Sequence, residues 1–224
     1  PVQNDPRYFF VKGDICDQHS VQDALAKYEI DAIVHFAAET HVDNSIEGPS
    51  KFLQTNVFGT FSLLEAVRKF PHIHFHHIST DEVYGELGRD GYFSEMTRYN
   101  PSSPYSASKA SSDHLVSAFS RTYNLSTTIS HCSNNYGPYQ HVEKFIPRMI
   151  TNALEEKSLP VYGKGKNIRD WLYVEDHAEA IWRVLLNGKN GEVYDIGGGA
   201  EKENIEVVKE IISILASKIN CSEA

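Results

Sequence analysis

The pattern of apolar and polar positions alternates between short apolar runs and segments with helical spacing. The apolar runs are rich in β-branched and aromatic residues and predict strands at 8–11, 32–36, 73–78, 127–131, 159–162 and 193–196. Apolar residues three and four positions apart predict helices at 20–28, 49–70, 104–123, 145–156, 176–186 and 205–219. A further apolar segment lies at 170–174. The chain is therefore predicted to alternate between strands and helices.

This alternation indicates the fold class, because strands separated by helices form βαβ units with right-handed crossovers. The predicted class is α/β, a Rossmann-like doubly wound parallel sheet with a smaller α/β lobe. Glycine, proline and aromatic residues crowd the stretch NNYGPYQ from Asn134 onward, where the second lobe is expected to begin. We predict a sheet domain from 1–135 and 168–196, and a partial second lobe from 136–167 and 197–224.

Composition and charge narrow the classes of function. The 224 residues are 41% hydrophobic and 23% charged, as is typical of a globular protein with a buried core. The formal net charge is −9 and basic residues are scattered singly, so no nucleic-acid partner is expected. No apolar run approaches the roughly 20 residues of a membrane span. A small anionic ligand is still possible, since a few placed basic side chains suffice.

The cysteine pattern favours a reducing compartment. Cys16, Cys132 and Cys221 are far apart in the sequence and form no CxxC pair, which is typical of a cytoplasmic protein rather than a disulfide scaffold. The opening residues PVQNDPRYFF lack the charged and apolar regions of a secretory signal. Because the chain starts without Met, we expect it to begin inside a longer protein.

The strongest candidate chemistry lies in Ser-Thr-Asp-Glu at 79–82 and in Tyr105 and Lys109. Tyr105 and Lys109 are four residues apart at the start of a predicted helix, so they share a face. A neighbouring ammonium favours the phenolate, which lets a tyrosine act as a base at neutral pH. This spacing alone is weak, and a packed tyrosine beside a solvated lysine is the alternative interpretation. It gains weight because the pair follows a strand that ends in Ser-Thr.

Several longer motifs carry a family resemblance. ISTDEVYG, PYSASKASSDHLV, NNYGPYQ and IRDWLYVEDH, with the earlier HFAAETHVDNSI and TNVFGT, resemble the dTDP-glucose 4,6-dehydratases of the extended short-chain dehydrogenase/reductase family. The resemblance runs essentially from end to end. YxxxK and NxYGP occur throughout the superfamily, whereas the Thr-Asp-Glu triplet marks the 4,6-dehydratases. The resemblance therefore implies an NAD-dependent lyase of deoxysugar biosynthesis that acts on dTDP-glucose.

The resemblance also implies a division of labour in the reaction. C4 of the glucose is oxidised, water is eliminated across C5 and C6, and the hydride returns to C6. Tyr105 and Lys109 would serve the oxidation, and Thr80 would hydrogen-bond the C4 oxygen. Adjacent carboxyls push their pKa values apart, which leaves one neutral and one ionised, and the resemblance implies that Asp81 is the acid and Glu82 the base of the elimination. The alternative is that both carboxyls merely cap the next turn.

Binding residues are implied in the same way. Those expected to contact NAD are Asp14, Ile15, Phe36, Ala37, Ala38, Thr40, Tyr105, Lys109 and Asn134. Those expected to contact the dTDP-sugar are His41, Thr80, Asn134, Lys144, Leu159, Pro160, Tyr162, Arg169 and Asn204. Arg169 suits a diphosphate because its planar fork bonds two oxygens. Simple close packing of the alanines and an Arg169–Asp170 ion pair are the alternatives.

The chain departs from the family pattern at its start. The family opens with a Gly-rich GxxGxxG turn that cradles the pyrophosphate, followed by an acidic residue after the second strand. Neither is present here, and the three glycines at 197–199 are predicted to be a loop. We expect this chain to be truncated at both ends and to bind NAD poorly by itself, which calorimetry tests.

Four histidines suggest a metal site at first sight. His72, His74, His76 and His77 lie in or beside one predicted strand, with the first three on one side. Imidazoles spaced along a strand are too far apart to chelate one ion, and no Cys or carboxylate completes a set. No metal is expected, and partly buried histidines near helix partners are the default.

Three classes of function stay open on the sequence alone. The first is the 4,6-dehydratase, and the second is a related nucleotide-sugar epimerase, decarboxylase or dehydratase. The third is a catalytically silent fragment or binding module that kept the fold. The family also implies a homodimer built on the long helices at 49–70 and 104–123.

Overall fold

The computed structural model describes residues 2–87 and 91–222, without the side chains of 219–222. The chain forms two compact units. The first contains Pro1–His131 and Arg183–Asp195, and the second contains Cys132–Trp182 and Ile196–Ala224. Residues 168–182 belong to the second unit, whereas the sequence pattern assigned them to the sheet domain. Their strand pairs with strands of the second unit, which a linear pattern does not reveal.

The first unit is built on a four-stranded sheet. Its strands are β1 (Ala32–His35), β2 (His74–Thr80), β3 (Thr127–Cys132) and β6 (Val193–Ile196), in the spatial order β1-β2-β3-β6. β1 and β2 are parallel, with Ala32 opposite His74 and His35 opposite His77. Parallel neighbours joined through helices confirm the predicted α/β class.

Helices α1 (Gln18–Lys27), α4 (Gly59–Val67) and α5 (Pro104–Tyr123) supply the core of the first unit. α1 begins at Asp17, whose side chain accepts hydrogen bonds from the amides of His19 and Ser20. The main core cluster of this unit consists of Leu25, Leu63, Leu64, Ala66, Val67, Ile73, Phe75, Val116, Phe119, Leu125 and Ile129. The apolar positions that predicted these helices and strands are thus the ones that meet.

The predicted single helix at 49–70 is interrupted. The segment consists of α3 (Pro49–Phe52), a π-helix (Leu53–Phe58) and α4, after a short α2 (Val42–Glu47) that the sequence pattern missed. Buried Asn56 lies in the π-helical turn, and its carbonyl accepts hydrogen bonds from Thr60 Oγ1 and Ser112 Oγ, both at 2.6 Å. Hydroxyls that bond a helix carbonyl compete with the regular ladder, so periodicity alone does not reveal the bulge.

Helix α5 has the bounds that were predicted for it, and its ends explain why. Ser103 and Ser106 form a reciprocal capping box, and Pro104 occupies the first turn. Asn124 ends the helix in the left-handed conformation, with φ 55°. These signals fix the start of α5, which carries Tyr105 and Lys109.

The second unit contains a three-stranded sheet with the order β4-β5-β7. β4 (Asn134–Tyr136) is parallel to β5 (Ile168–Tyr173), which is antiparallel to β7 (Glu201–Glu203). Helices α6 (Phe145–Leu154) and α8 (Asn204–Ser222) pack together, while α7 (Val174–Asn187) crosses from the second unit into the first. Their core consists of Met149, Val207, Val208 and Ile211, with Phe145 and Trp171 against it.

Two predicted strands are absent from the described residues. Residues 8–11 and 159–162 form no strand, because no neighbouring strand bonds their backbones. Phe9 and Phe10 are exposed, whereas Leu159 packs against the core of the second unit from an irregular segment. No helix among residues 2–87 and 91–222 combines the length and apolar character needed to cross a membrane.

Candidate functional site

The carboxyl end of β2 presents the Thr-Asp-Glu triplet. Thr80 is the last residue of the strand and caps the 3₁₀-helix Asp81–Tyr84, and its Oγ1 accepts a hydrogen bond from the Glu82 amide at 3.3 Å. Thr80 Oγ1 also donates to Asp81 Oδ1 at 3.3 Å. The side-chain cap of this turn is thus Thr80, and the side chains of Asp81 and Glu82 are partly exposed beyond it.

Tyr105 and Lys109 are both buried on α5, the helix that contacts β2 and the 3₁₀-helix. Lys109 is only 4% exposed, and its Nζ donates to the carbonyl oxygen of Ile78 at 2.8 Å. Nζ also lies 3.3 Å from His77 Nε2. The alternative of a solvated lysine is therefore wrong, because Lys109 reaches back to the strand that carries Thr80.

The position of Lys109 affects the ionisation of Tyr105. A buried ammonium one helical turn from a phenol favours the phenolate, because charges attract more strongly where water is excluded. The ring of Tyr105 is held edge-on by Phe52, with ring centroids 6.3 Å apart. The end of β2 adds a hydroxyl and two carboxyls on an element in contact with the same helix. A phenol, an amine, a hydroxyl and two carboxyls thus lie on adjoining elements of one unit.

The residues predicted to contact NAD follow two other segments of the first unit. Phe36, Ala37 and Thr40 are exposed after the carboxyl end of β1, and Ala38 is half-buried. Exposure of Ala37 disagrees with the alternative of close packing for that residue. His41 begins α2 as its N-cap, and its Nδ1 is buried without a hydrogen-bond partner among the described residues.

Asp14 and Ile15 lie just before α1. The Asp14 carboxylate accepts a hydrogen bond from the Cys16 amide at 2.9 Å and stays exposed. Ile15 packs against the main core, and a Cβ at Gly59 would collide with its side chain. Gly59 therefore admits Ile15 against α4, which holds the segment that presents Asp14.

The residues predicted to contact the sugar nucleotide lie mostly in the second unit. Asn134 is on β4, Lys144 is the N-cap of α6, and Asn204 begins α8. Asn204 donates its amide to the Asn167 carbonyl at 2.9 Å, and its Oδ1 is buried without a partner among the described residues. Pro160 and Tyr162 are exposed, in contrast to Leu159, which packs inward. Of the three residues predicted to form the nucleobase pocket, two are thus exposed and one packs against the core of the second unit.

Arg169 and Asp170 are consecutive on β5 but have different surroundings. Arg169 is exposed. The carboxylate of Asp170 accepts backbone hydrogen bonds from Gly198 at 2.7 Å and from Ala200 at 2.8 Å. A Cβ at Gly198 would collide with the carbonyl oxygen of Trp171. The three glycines are thus the predicted loop, and Asp170 anchors it to β5 through both carboxylate oxygens.

His74 and His76 of β2 are bonded to hydroxyls of the neighbouring strand segment. His74 Nδ1 lies 2.8 Å from Ser126 Oγ, and its Nε2 lies 2.9 Å from Thr128 Oγ1. His76 Nδ1 lies 2.8 Å from Thr128 Oγ1. The partners of His74 and His76 are therefore on β3 and the residue before it rather than on helices, whereas His77 has the expected helix partners, with Lys109 Nζ and Asp113 Oδ1 of α5 each 3.3 Å from its Nε2. Within the described residues, no three His, Cys, Asp or Glu side chains could hold a metal ion together.

Two side chains behind the site were missed by the sequence analysis. Asp113 and His131 are fully buried, and Asp113 Oδ2 lies 3.1 Å from His131 Nε2. The available signal was spacing, because Asp113 follows Lys109 by four residues and Tyr105 by eight, on the same helix face. Asn56 was also missed. Its side chain bonds both backbone groups of Glu39, with N at 2.8 Å and O at 3.0 Å, and Ser108 Oγ at 2.8 Å.

Comparison with known proteins gives concordant results. The family model described as GDP-mannose 4,6 dehydratase matches residues 1–222. The dTDP-glucose 4,6-dehydratase of Neisseria meningitidis serogroup B is 56% identical over 224 residues, covering 96% of this chain and 63% of that protein. Two crystal structures of dTDP-glucose 4,6-dehydratases each cover 96% of this chain and 66% of theirs. The Bacillus anthracis enzyme in complex with NAD is 52% identical with TM-score 0.89, and DesIV from Streptomyces venezuelae with NAD and TYD bound is 48% identical with TM-score 0.93.

These likenesses confirm the predicted Rossmann-like α/β class and the resemblance on which the site residues were proposed. The chain spans less than two thirds of the length of each of these relatives. The match of the family model extends over nearly the whole chain. The chain therefore belongs to the family described as GDP-mannose 4,6 dehydratase, and the three relatives named above are dTDP-glucose 4,6-dehydratases.

Proposed function

We propose that the full-length protein is an NAD-dependent lyase that converts dTDP-glucose to dTDP-4-keto-6-deoxyglucose. One observation carries this proposal. Buried Lys109 hydrogen-bonds Ile78 near the end of β2, so the Tyr105–Lys109 pair lies against the strand that ends in Thr80, followed by Asp81 and Glu82. An epimerase needs only the Tyr105–Lys109 pair and the Thr80 hydroxyl. A dehydratase also needs an acid and a base for the elimination of water. The two carboxyls thus favour dehydration.

The proposed proton transfers account for every proton over one turnover. The Tyr105 phenolate takes the C4 hydroxyl proton as hydride leaves C4, and Thr80 donates a hydrogen bond to the C4 oxygen. Glu82 then takes the C5 proton, and Asp81 gives its proton to the C6 hydroxyl, which leaves as water. Glu82 returns its proton to C5 when hydride reaches C6. One proton passing from Tyr105 to Asp81 restores the starting state.

The residues present fit part of an NAD site. NAD⁺, when bound, supplies the acceptor for the hydride from C4 and returns that hydride to C6. Exposed Phe36, Ala37 and Thr40 after β1 leave room for a ligand to approach the backbone, and exposed Asp14 offers a carboxylate to an amino group or hydroxyl. We propose that Ala38, Ile15, Tyr105, Lys109 and Asn134 complete these contacts. The Gly-rich turn that cradles a pyrophosphate is not among these residues.

We propose the following substrate contacts, each considered within the unit to which the residue belongs. Thr80 and His41 would contact the sugar, and Asn134, Lys144 and Arg169 would contact the nucleoside diphosphate. The exposed guanidinium of Arg169 can donate to two phosphate oxygens at once. The buried Asn204 Oδ1, which has no hydrogen-bond partner among the described residues, can accept a hydrogen bond from the substrate. Exposed Pro160 and Tyr162, with Leu159, would contact the nucleobase.

The first experiment supplies the full-length protein with NAD⁺ and dTDP-glucose and identifies the product by mass spectrometry and NMR. We expect a 4-keto-6-deoxy sugar. In Glu82→Gln the base is lost but the amide keeps the shape, so C4 oxidation continues while elimination falls about 10²- to 10³-fold. NADH absorbance then accumulates.

Glu86→Gln is the matched control, because Glu86 is exposed beyond the turn and is expected to keep the parent rate. A 4-epimer as the product would exclude the dehydratase. Normal turnover by Glu82→Gln would show that Glu82 is not the base.

We also propose a cytoplasmic homodimer. Leu53, Phe58 and Phe61 are 50%, 58% and 43% exposed along the π-helix and α4, which belong to the predicted dimer helix. Burial of such side chains by a second copy would remove a costly apolar surface from water. Cys16 and Cys132 form no disulfide among the described residues, as suits a reducing compartment, and the Cys221 side chain lies outside those residues. Sedimentation of the full-length protein measures the assembly.

A further inference from the structure

Behind the proposed catalytic pair lies a buried chain of charged side chains. Tyr105, Lys109 and Asp113 occupy successive turns of one face of α5. Asp113 is 1% exposed, and the proposed mechanism gives it no role. A buried carboxylate is costly unless it is paired and hydrogen-bonded, so its partners need an explanation.

The partners of Asp113 form a continuous series within the first unit. Asp113 Oδ2 accepts a hydrogen bond from Ser79 Oγ at 2.9 Å and lies 3.1 Å from His131 Nε2. The other ring nitrogen, His131 Nδ1, lies 3.2 Å from Asp195 Oδ1. The hydroxyls of Tyr84 and Tyr99 lie 2.8 Å and 3.0 Å from the two nitrogens of the same ring. Asp113, His131 and Asp195 thus form a carboxylate–imidazole–carboxylate chain, hereafter the charge chain.

The geometry of the charge chain defines its ionisation. Each nitrogen of His131 faces a carboxylate oxygen as well as a phenol hydroxyl, and a ring protonated on both nitrogens, a cation, donates to both carboxylates. Burial by itself lowers the pKa of His131, but hydrogen bonds and charges of Asp113 and Asp195 outweigh it and raise that pKa to about 9. Burial raises the pKa of Asp113, yet its two histidine partners more than reverse this, and the net shift is downward. At neutral pH the cation of His131 therefore lies between two anions.

His77 connects the charge chain to Lys109. Its Nε2 lies 3.3 Å from Lys109 Nζ and 3.3 Å from Asp113 Oδ1. Burial and the Lys109 charge lower the pKa of His77 to about 4, so this ring is neutral and leaves the two charges to interact across it. The titratable groups that face His77 and the charge chain from the surrounding elements are His35, Tyr84, Glu95, Tyr99 and Lys109.

We propose that Asp113 and His131 are positioning residues for Lys109, and that their opposite charges set the pH at which the Tyr105–Lys109 pair loses its proton. This inference rests on the proposed function for its catalytic meaning. The carboxylate of Asp113 favours the protonated pair, and the His131 cation offsets that effect. Neither side chain needs to touch substrate or cofactor.

The proposal predicts opposite shifts for two isosteric changes. Asp113→Asn removes an anion near the pair, so the proton leaves more easily and the titration moves to lower pH. His131→Gln removes the cation that compensates Asp113, so the titration moves to higher pH. Each shift is expected to reach about half a pH unit or more, because water is excluded from the intervening space. A residue that only fills space would not give shifts of opposite sign.

The titration is measured on the full-length protein by the near-ultraviolet absorbance of tyrosinate. Each variant is compared with the same variant carrying Tyr105→Phe, which isolates the signal of Tyr105. The matched control is His74→Gln, since His74 is bonded to hydroxyls alone and its pKa is lowered by burial. That control is expected to keep the parent titration.

The second readout is the acid limb of kcat/KM for formation of the keto sugar, which should move with the absorbance titration. If tyrosinate shifts as expected but no keto sugar forms, the charge chain stands and the proposed function fails. If keto sugar forms and neither variant shifts either readout, the charge chain is overturned while the function stands. Shifts of the same sign in both variants also overturn it.

A milder variant covers the case in which Asp113→Asn or His131→Gln does not fold. The side chain of Asp195 is 23% exposed at the far end of the charge chain. Asp195→Asn weakens the hold on the His131 proton without opening the core. Because it lowers the charge on His131 and leaves Asp113 less compensated, the Tyr105 titration should move to higher pH. An unchanged titration in a folded Asp195→Asn protein would contradict the proposal.

Discussion

Thr80, Tyr105 and Lys109 of the first unit are buried, whereas Pro160, Tyr162 and Arg169, which are proposed for substrate binding in the second unit, are exposed. Lys109 is 4% and Tyr105 8% exposed, while Tyr162 is 69% exposed and Arg169 is open to solvent. Lys109 donates a hydrogen bond to the strand carbonyl of Ile78, and Thr80 caps the turn that follows it. The fold therefore fixes the positions of these side chains in the first unit, whereas the exposed side chains of the second unit are open to a ligand.

The difference has a physical reason. A group that moves protons needs a fixed, poorly hydrated environment, because its ionisation depends on neighbouring charges at close range. A group that recognises a diphosphate or a base gains its partners only on binding, so it can remain solvated in the free protein. Changes in the first region should therefore affect chemistry or stability, and changes in the second should affect affinity.

The largest expected effect is on Lys109. Lys109→Met keeps the length of the stem but removes the ammonium, so Tyr105 loses the charge that favours its phenolate. We expect kcat/KM for keto-sugar formation to fall about 10³-fold. Lys69→Met is the control, because Lys69 is exposed and its Nζ donates to Gln22 Oε1 at 2.8 Å. Equal activity of the two variants would contradict the proposed role of the Lys109 ammonium.

The next effect concerns stability of the first region. Asn56→Ala leaves the Glu39 amide and carbonyl without their side-chain partner and opens the contact with Ser108. We expect the free energy of unfolding to fall by about 2–3 kcal/mol in chemical denaturation. Gln54→Ala, in the same π-helical segment but exposed, is expected to change it by about 0.5 kcal/mol at most. Similar losses at both positions would show that the buried bridge contributes little.

The smallest of the three expected effects concerns substrate affinity and involves Arg169 in the second unit. Arg169→Ala removes the fork proposed for the diphosphate, and we expect KM for dTDP-glucose to rise about 10- to 100-fold with kcat within about threefold. Arg148→Ala provides the comparison, since Arg148 is also exposed but lies on α6 outside the proposed contacts. A fall in kcat with unchanged KM would move Arg169 from binding to chemistry and break the contrast between the regions.

Some features of the fold followed directly from the sequence. The capping box at Ser103 and Asn124 at the far end bounded α5, and the YxxxK spacing placed Tyr105 and Lys109 on one face. Strand β6 was found with its bounds, because apolar runs between turn residues are strong local signals. The Thr-Asp-Glu triplet identified the family by its motif. The roles of individual site residues remain predictions for the kinetic tests.

Other features escaped because they depend on partners distant in sequence. The π-helical turn at Asn56 depends on a hydroxyl of α5. The segments 8–11 and 159–162 have strand-like composition but no bonded neighbour. His74 and His76 were expected to have helix partners, yet hydroxyls of Ser126 and Thr128 take that place. The composition of a segment indicates which secondary structures it can form, and hydrogen bonding to a neighbouring strand determines whether it forms a strand.

By itself, the sequence determined the α/β class, the family and the residue types available for the chemistry, because periodicity and motifs are local. Only the tertiary structure decided that Lys109 is buried, that Thr80 caps its turn, and that Asp113 and His131 lie behind the pair. The physical reason is that burial and charge coupling arise between residues brought together by packing, and they vanish in an extended chain.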